Sequence, residues 1–112
     1  MNPLHHSKSS VAKWGGKVSD YMPIHRWFDE SKKGLAFVTH RAIRHHSEGI
    51  GWCENVFGNV LILSNGKEIP VRYVAEQHIK EDCNFIPTMK DWLQHLKPQP
   101  WMYKVGKIDT PE

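Results

Sequence analysis

Apolar and polar positions along this chain alternate mostly with a helical period. From about Pro3 to Lys13 the composition is helical and stops at Gly15-Gly16, where glycine can take the left-handed conformation that ends a helix. Beyond KVSDYM, Pro23 fits a first helical position, and Ile24, Trp27 and Phe28 recur at helical spacing until Gly34, predicting a second helix. The longest helical pattern runs from about Ala36 to Phe57. Rotating by about 100° per residue from Ala42 places Gly49, Ile50, Cys53, Val56 and Phe57 within about 80° of it, with His45 and His46 on the same side. His40 falls on the opposite side, and joins them only if the helix begins late or the preceding segment folds back.

The period then changes. In NVLILSNGKEIPVRY, Asn65-Gly66 lies between two β-prone runs and predicts a hairpin at about residues 60–71. A two-residue turn there would pair Leu63 with Glu68 and Ile62 with Ile69, with Pro70 at a strand end. A helix from about Tyr73 to Asp82 follows, with His78, Glu81 and Asp82 within about 80° of Val74. After CNFIP, Thr88 and Asp91 form a capping box for a last helix, with Trp92, Leu93 and Leu96 as its buried face. The resulting fold class is mainly α (α+β): about five helices and one small hairpin. Residues 1–98 form one histidine-rich domain, and residues 99–112 a tail that is either packed through Trp101 and Tyr103 or loose.

Composition narrows the function. A chain of 112 residues that is 39% hydrophobic can bury a core without disulfide staples, and Cys53 and Cys83 have neither ribbon nor disulfide spacing. The chain shows no apolar run long enough for a membrane span and no secretory leader, so a cytoplasmic protein is expected. The net charge of +3 comes from dispersed Lys and Arg interleaved with acids, a weak case for nucleic acid despite Arg41 and Arg44 in HRAIRHH. Five tryptophans, about one per element, look like packing anchors.

Eight histidines do need a chemical reason. Neutral imidazole is the commonest ligand for transition metals and the side chain best suited to proton transfer near neutral pH. His78 with Asp82, and His25 with Asp29, have the four-residue spacing that puts two ligands on one helix face, or lets a carboxylate orient an imidazole. With His45 and His46 bordering the core face of the neighbouring helix, three or four ligands can converge. His46, His78 and Asp82 are the favoured set; His45, His25 and His6 are further candidates, and His5 and His95 read as exposed. Such a set suits Zn²⁺, Fe²⁺, Mn²⁺ or Ni²⁺, and water on the ion would find a base in Glu76, Glu81 or a spare histidine. HExxH, HD, GxSxG, Walker and Rossmann patterns are absent.

The segments SSVAKWGGKVSDYMPIHRWFDESK, HRAIRHHSEGI, NGKEIPVRYVAEQHIKED and IPTMKDWL resemble, in order, a family of small bacterial and phage proteins of unknown function, over about residues 6–96. The family's patterns fall on His6, His25, Asp29, His40, His45, His46, Glu76, Gln77, His78, Glu81 and Asp82. This chain departs from them at Val38-Thr39 and Ala75. The resemblance implies one domain and this choice of residues, and no reaction. Two functions therefore stand. One is a protein that binds a divalent transition metal, with metal-dependent hydrolysis as its chemistry and an unidentified small molecule or protein as partner. The other is a non-enzymatic protein- or nucleic-acid-interaction module with a structural histidine and carboxylate core.

Overall fold

A computed structural model describes residues 1–35 and 38–103; the predicted helix start at 36–37 and the tail at 104–112 lie outside the described residues. Helix α1 (Pro3–Trp14) opens on Asn2, whose side chain accepts the His5 amide, and closes at Gly15. Helix α2 (Val18–Asp29) starts one turn before Pro23, which lies inside it rather than at its start. The helix is set earlier because the Asp20 carboxylate accepts the Lys17 amide at 2.8 Å and ties it to Ser64, through the amide at 3.1 Å and the hydroxyl at 2.9 Å. A proline here removes one intrahelical bond, and at this exposed position the other attachments hold the helix.

The predicted continuous helix is broken. After 3₁₀ turns at Glu30–Lys33 and Val38–His40, α3 is only Arg41–Arg44, and α4 (Ser47–Phe57) starts anew after a corner at His45 and His46. His46 is extended (φ −158°, ψ 170°) and caps α4, its Nδ1 accepting the Gly49 amide at 2.9 Å. The corner is tight enough that a Cβ on Gly49 would lie 1.9 Å from the Arg44 carbonyl oxygen. This corner moves His40 from the far side of a single helix to a buried place beside His45, with ring centroids 5.7 Å apart.

Strands β1 (Val60–Ile62) and β2 (Glu68–Pro70) form the hairpin, one residue off the expected register: Leu61 faces Ile69 and Ile62 faces Glu68. Leu63 accepts the Gly66 amide and donates to Lys67, so the loop has three residues, Ser64 to Gly66, with Gly66 at φ 84°. Because a one-residue shift exchanges the faces of a strand, this register buries Leu63 and Ile69 and leaves Ile62 exposed. Helix α5 (Val71–Cys83) runs on from β2 and ends at left-handed Asn84. Helix α6 (Met89–Leu93) has the expected reciprocal Thr88–Asp91 cap, but Leu93 and Leu96 are exposed, because the helix ends after five residues and presents only part of Trp92 to the body.

The architecture is thus mainly α, six helices with a two-stranded hairpin among the described residues. Tyr21, Ile24, Phe28, Ile50, Cys53, Val71, Val74 and Ile79 make the apolar core, sealed at one end by Leu63 and Ile69. Trp14 and Trp27 pack against it, whereas Trp52 and Trp101 are exposed and do not act as anchors. Among the described residues no helix is long and apolar enough to cross a membrane.

Candidate metal centre

Four ligand atoms from three segments meet below this core. Asp29 ends α2, His45 stands in the corner after α3, and His78 and Asp82 lie one turn apart on α5. His45 Nε2 is 3.0 Å from Asp82 Oδ2, 3.1 Å from His78 Nε2 and 3.5 Å from Asp29 Oδ1. His78 Nε2 is 3.3 Å from both Asp29 Oδ1 and Asp82 Oδ2. For metal–ligand bonds of 2.0–2.2 Å, adjacent ligand atoms lie about 3.4 Å apart around a tetrahedral ion and about 3.0 Å apart around an octahedral one. The observed separations fall on those edges. These residues could hold a metal ion.

The side chains behind His78 fix which of its nitrogens faces this group. The Gln77 amide nitrogen donates to two acceptors, the His6 carbonyl at 2.9 Å and Glu81 Oε1 at 2.8 Å, so its oxygen accepts the Ser10 hydroxyl at 2.6 Å. With its proton committed there, Ser10 accepts from His25 Nε2 at 2.9 Å. Burial, reinforced by His78 and His6 nearby, pushes the His25 pKa down to about 2, so its ring is neutral and Nδ1 is a lone pair. That lone pair accepts His78 Nδ1–H at 2.9 Å. His78 Nε2 is left facing two carboxylates and a second imidazole nitrogen. It needs either a cation among them or a second proton of its own.

The electrostatics suit either. Burial opposes ionisation of Asp29 and Asp82, but hydrogen bonds and charge from the surrounding histidines outweigh it and hold both carboxyls below the ordinary range. Burial lowers His45, whereas for His78 the two carboxylates overcome burial and raise it. Phe28 stacks on His78 with ring centroids 4.8 Å apart and meets His45 edge-on, giving the group an apolar wall.

His6 adjoins the group from α1. Its Nδ1 is 2.8 Å from Glu81 Oε1, and its Nε2 makes no hydrogen bond among the described residues while lying 3.2 Å from Asp82 Oδ1. Asp82 therefore presents one oxygen to His45 and His78 and the other to His6. His6, His25 and His78 also form a second set of mutually close nitrogens.

The structure brings together His45, His78 and Asp82 of the expected set, with His6 beside them and His25 behind. It does not bring in His46, whose Nδ1 caps α4 and whose Nε2 donates to the Ile43 carbonyl at 3.0 Å. Glu81 is occupied by His6, Ser9 and Gln77, and Glu76 lines a separate groove with Trp14 and Tyr73. The member of the group absent from the expected set is Asp29. Its spacing from His25 was the available signal, but the pair does not hydrogen-bond as its own unit: His25 supports His78 and Asp29 meets it from the other side. His40 is also close, with Nε2 3.5 Å from Asp29 Oδ1. His5 and His95 are exposed.

A match to the family described as Domain of unknown function (DUF6915) spans residues 1–102, and the chain belongs to this family. No curated protein and no solved structure matches the chain.

Proposed function

We propose that this protein binds one divalent transition metal through Asp29, His45, His78 and Asp82. The observation that carries the reading is His78 Nε2, turned inward by the Gln77–Ser10–His25 chain and surrounded at metal-edge distances by one nitrogen and two carboxylate oxygens. Two imidazoles and two carboxylates suit Zn²⁺, Fe²⁺, Mn²⁺ or Ni²⁺. Four ligands complete a tetrahedral zinc site, whereas an octahedral ion keeps two open places. In the second case the chemistry we assign is hydrolysis. The ion would lower the pKa of a bound water, and His6, held by Glu81 at Nδ1 and 3.2 Å from Asp82 at Nε2, would orient Asp82.

Element analysis of untagged protein is expected to give one ion per chain, with the melting temperature lowered by chelation because an ion bound only to the folded chain stabilises it by mass action. No stoichiometric ion and an unchanged melting temperature would instead support a protonated His78 bridging Asp29 and Asp82 in a purely structural polar core. The interaction-module reading loses one of its two cations to internal use. Arg44 donates to the Trp27 carbonyl at 2.6 Å, stacks on that ring and pairs with Glu30.

A further inference from the structure

Beside the metal centre, on the Asp82 side, lies a cavity of about 420 Å³, within the range that holds a small organic ligand. Phe85, Pro87, Val38 and Trp92 give it apolar walls. Two of its lining residues are tied to the centre itself. Trp92 Nε1 donates to the His45 carbonyl at 2.8 Å, and Arg41 donates to the Asp82 carbonyl at 3.1 Å.

Arg41 is the unusual element of this cavity. Its side chain is three-quarters buried, its Nε has no hydrogen-bond partner among the described residues, and its contact to Asp82 Oδ1, at 3.8 Å, is a loose one. A guanidinium offers five donors in a planar fork matched to an oxyanion, and this one has donors to spare. The formal charges point the same way. With a dication in place, Asp29 and Asp82 are balanced, and Arg41 together with the Met1 ammonium, 3.5 Å from Asp82 Oδ1, exceeds the single charge of Asp91 by one positive unit. Asp91, exposed on the same cavity with its carboxylate held by the Thr88 amide, opposes a second negative charge.

Resting on the metal reading above, we propose that this cavity binds a small carboxylate monoanion with an aromatic or aliphatic body. The carboxylate pairs with Arg41 beside Asp82, whose negative charge the ion balances, and the body lies against Trp92 and Phe85. The ligand would enter at the Arg41 face of the centre, where Asp82 is shared between ion and cavity wall.

The test uses the full chain loaded with metal, with the Trp92 indole N–H followed by NMR as benzoate, phenyl phosphate and benzyl alcohol are titrated separately. Benzoate is expected to bind at least ten-fold more tightly than either of the others, and chelating the metal is expected to weaken it by a similar factor. Arg41→Gln should weaken benzoate ten-fold or more at unchanged metal content, with Arg41→Lys recovering part of the loss. Asp91→Asn, at a surface position, should selectively tighten phenyl phosphate and gives a second readout if Arg41→Gln does not fold. Equal binding of benzyl alcohol, or benzoate binding indifferent to both Arg41→Gln and chelation, would overturn the proposal. One ion per chain with no benzoate binding removes the cavity proposal alone, whereas failure to take up metal removes both readings.

Discussion

Helices α2 and α5 each bury an apolar set and a polar set of side chains. The apolar half of what they bury is Tyr21, Ile24 and Phe28 with Val71, Val74 and Ile79; the polar half is His25 and Asp29 with His78 and Asp82, almost equally inaccessible. Burial is similar, but what holds each half is different. In the apolar half, stability follows the area removed from water and depends little on direction. In the polar half each group must meet a partner of the right kind, because a buried donor or acceptor left unmet costs more than the bond itself contributes. What the polar half contributes therefore depends on every group in it being met, and it is the half that could hold an ion.

The sharpest way to break this contrast is to remove one residue from each half. Asp82→Ala leaves His45, His78 and His6 without their shared carboxylate, and is expected to cost roughly 3–5 kcal/mol in metal-free protein and to abolish metal uptake. Ile24→Ala removes a comparable amount of packing and is expected to cost about 3 kcal/mol, with the ion count unchanged. Urea denaturation of the chelated protein gives both losses and element analysis gives the separation. If Ile24→Ala also loses the ion, the halves are one cooperative unit and the comparison fails.

A smaller effect tests whether the polar half is held as described. His25 is kept neutral to about pH 2 in the folded chain, chiefly by burial, but titrates near 6.5 when unfolded. Its folded pKa is depressed, so the unfolded state binds the extra proton. The stability this neutral ring contributes is complete above about pH 6.5 and is lost as pH falls below it, at up to about 1.4 kcal/mol per pH unit. In His25→Gln the slope of unfolding free energy between pH 6 and 5, measured without metal, should fall by about that amount. An unchanged slope would mean that His25 is protonated in the fold, and the lone pair offered to His78 would not exist.

Much of this was legible in the sequence, and the exceptions share a physical cause. The Asn65-Gly66 turn, the Thr88–Asp91 cap and the one-turn spacing of His78 and Asp82 are local signals, and the structure contains all three features. The corner at His45 and His46 is hidden because α3 and α4 each keep the helical period. Its cap is a histidine ring rather than the Ser, Thr, Asp or Asn that usually mark a helix start. That corner sends His45 into the centre and turns His46 away, a distinction that period alone does not make. Asp29 was visible as a partner for His25, but its contact with His78 joins residues 49 apart in the chain. The hairpin register was missed by one residue because Asn-Gly fits both a two-residue turn and the last two places of a three-residue loop.

The smallest expected effect comes from that loop, where the apolar half is sealed. Gly66 has φ 84° with open space around the place of a Cβ, so Gly66→Ala meets no atom and costs only the left-handed conformation, about 1 kcal/mol. A loss of that size should lower the melting temperature of the metal-free protein by about 4–8 °C. The same loop fixes the register that buries Leu63 and Ile69, and a slip by one residue would set Ile62 opposite Ile69 and Leu63 opposite Glu68, so that the two buried residues no longer share a face. Cross-strand contacts between Leu61 and Ile69 in NMR spectra of the variant would show that the register survives. Metal uptake should then be unchanged, since no ligand comes from the hairpin. A loss of uptake with the register intact would mean that strain at the apolar end reaches His78 along α5, and the two halves would have to be treated as one.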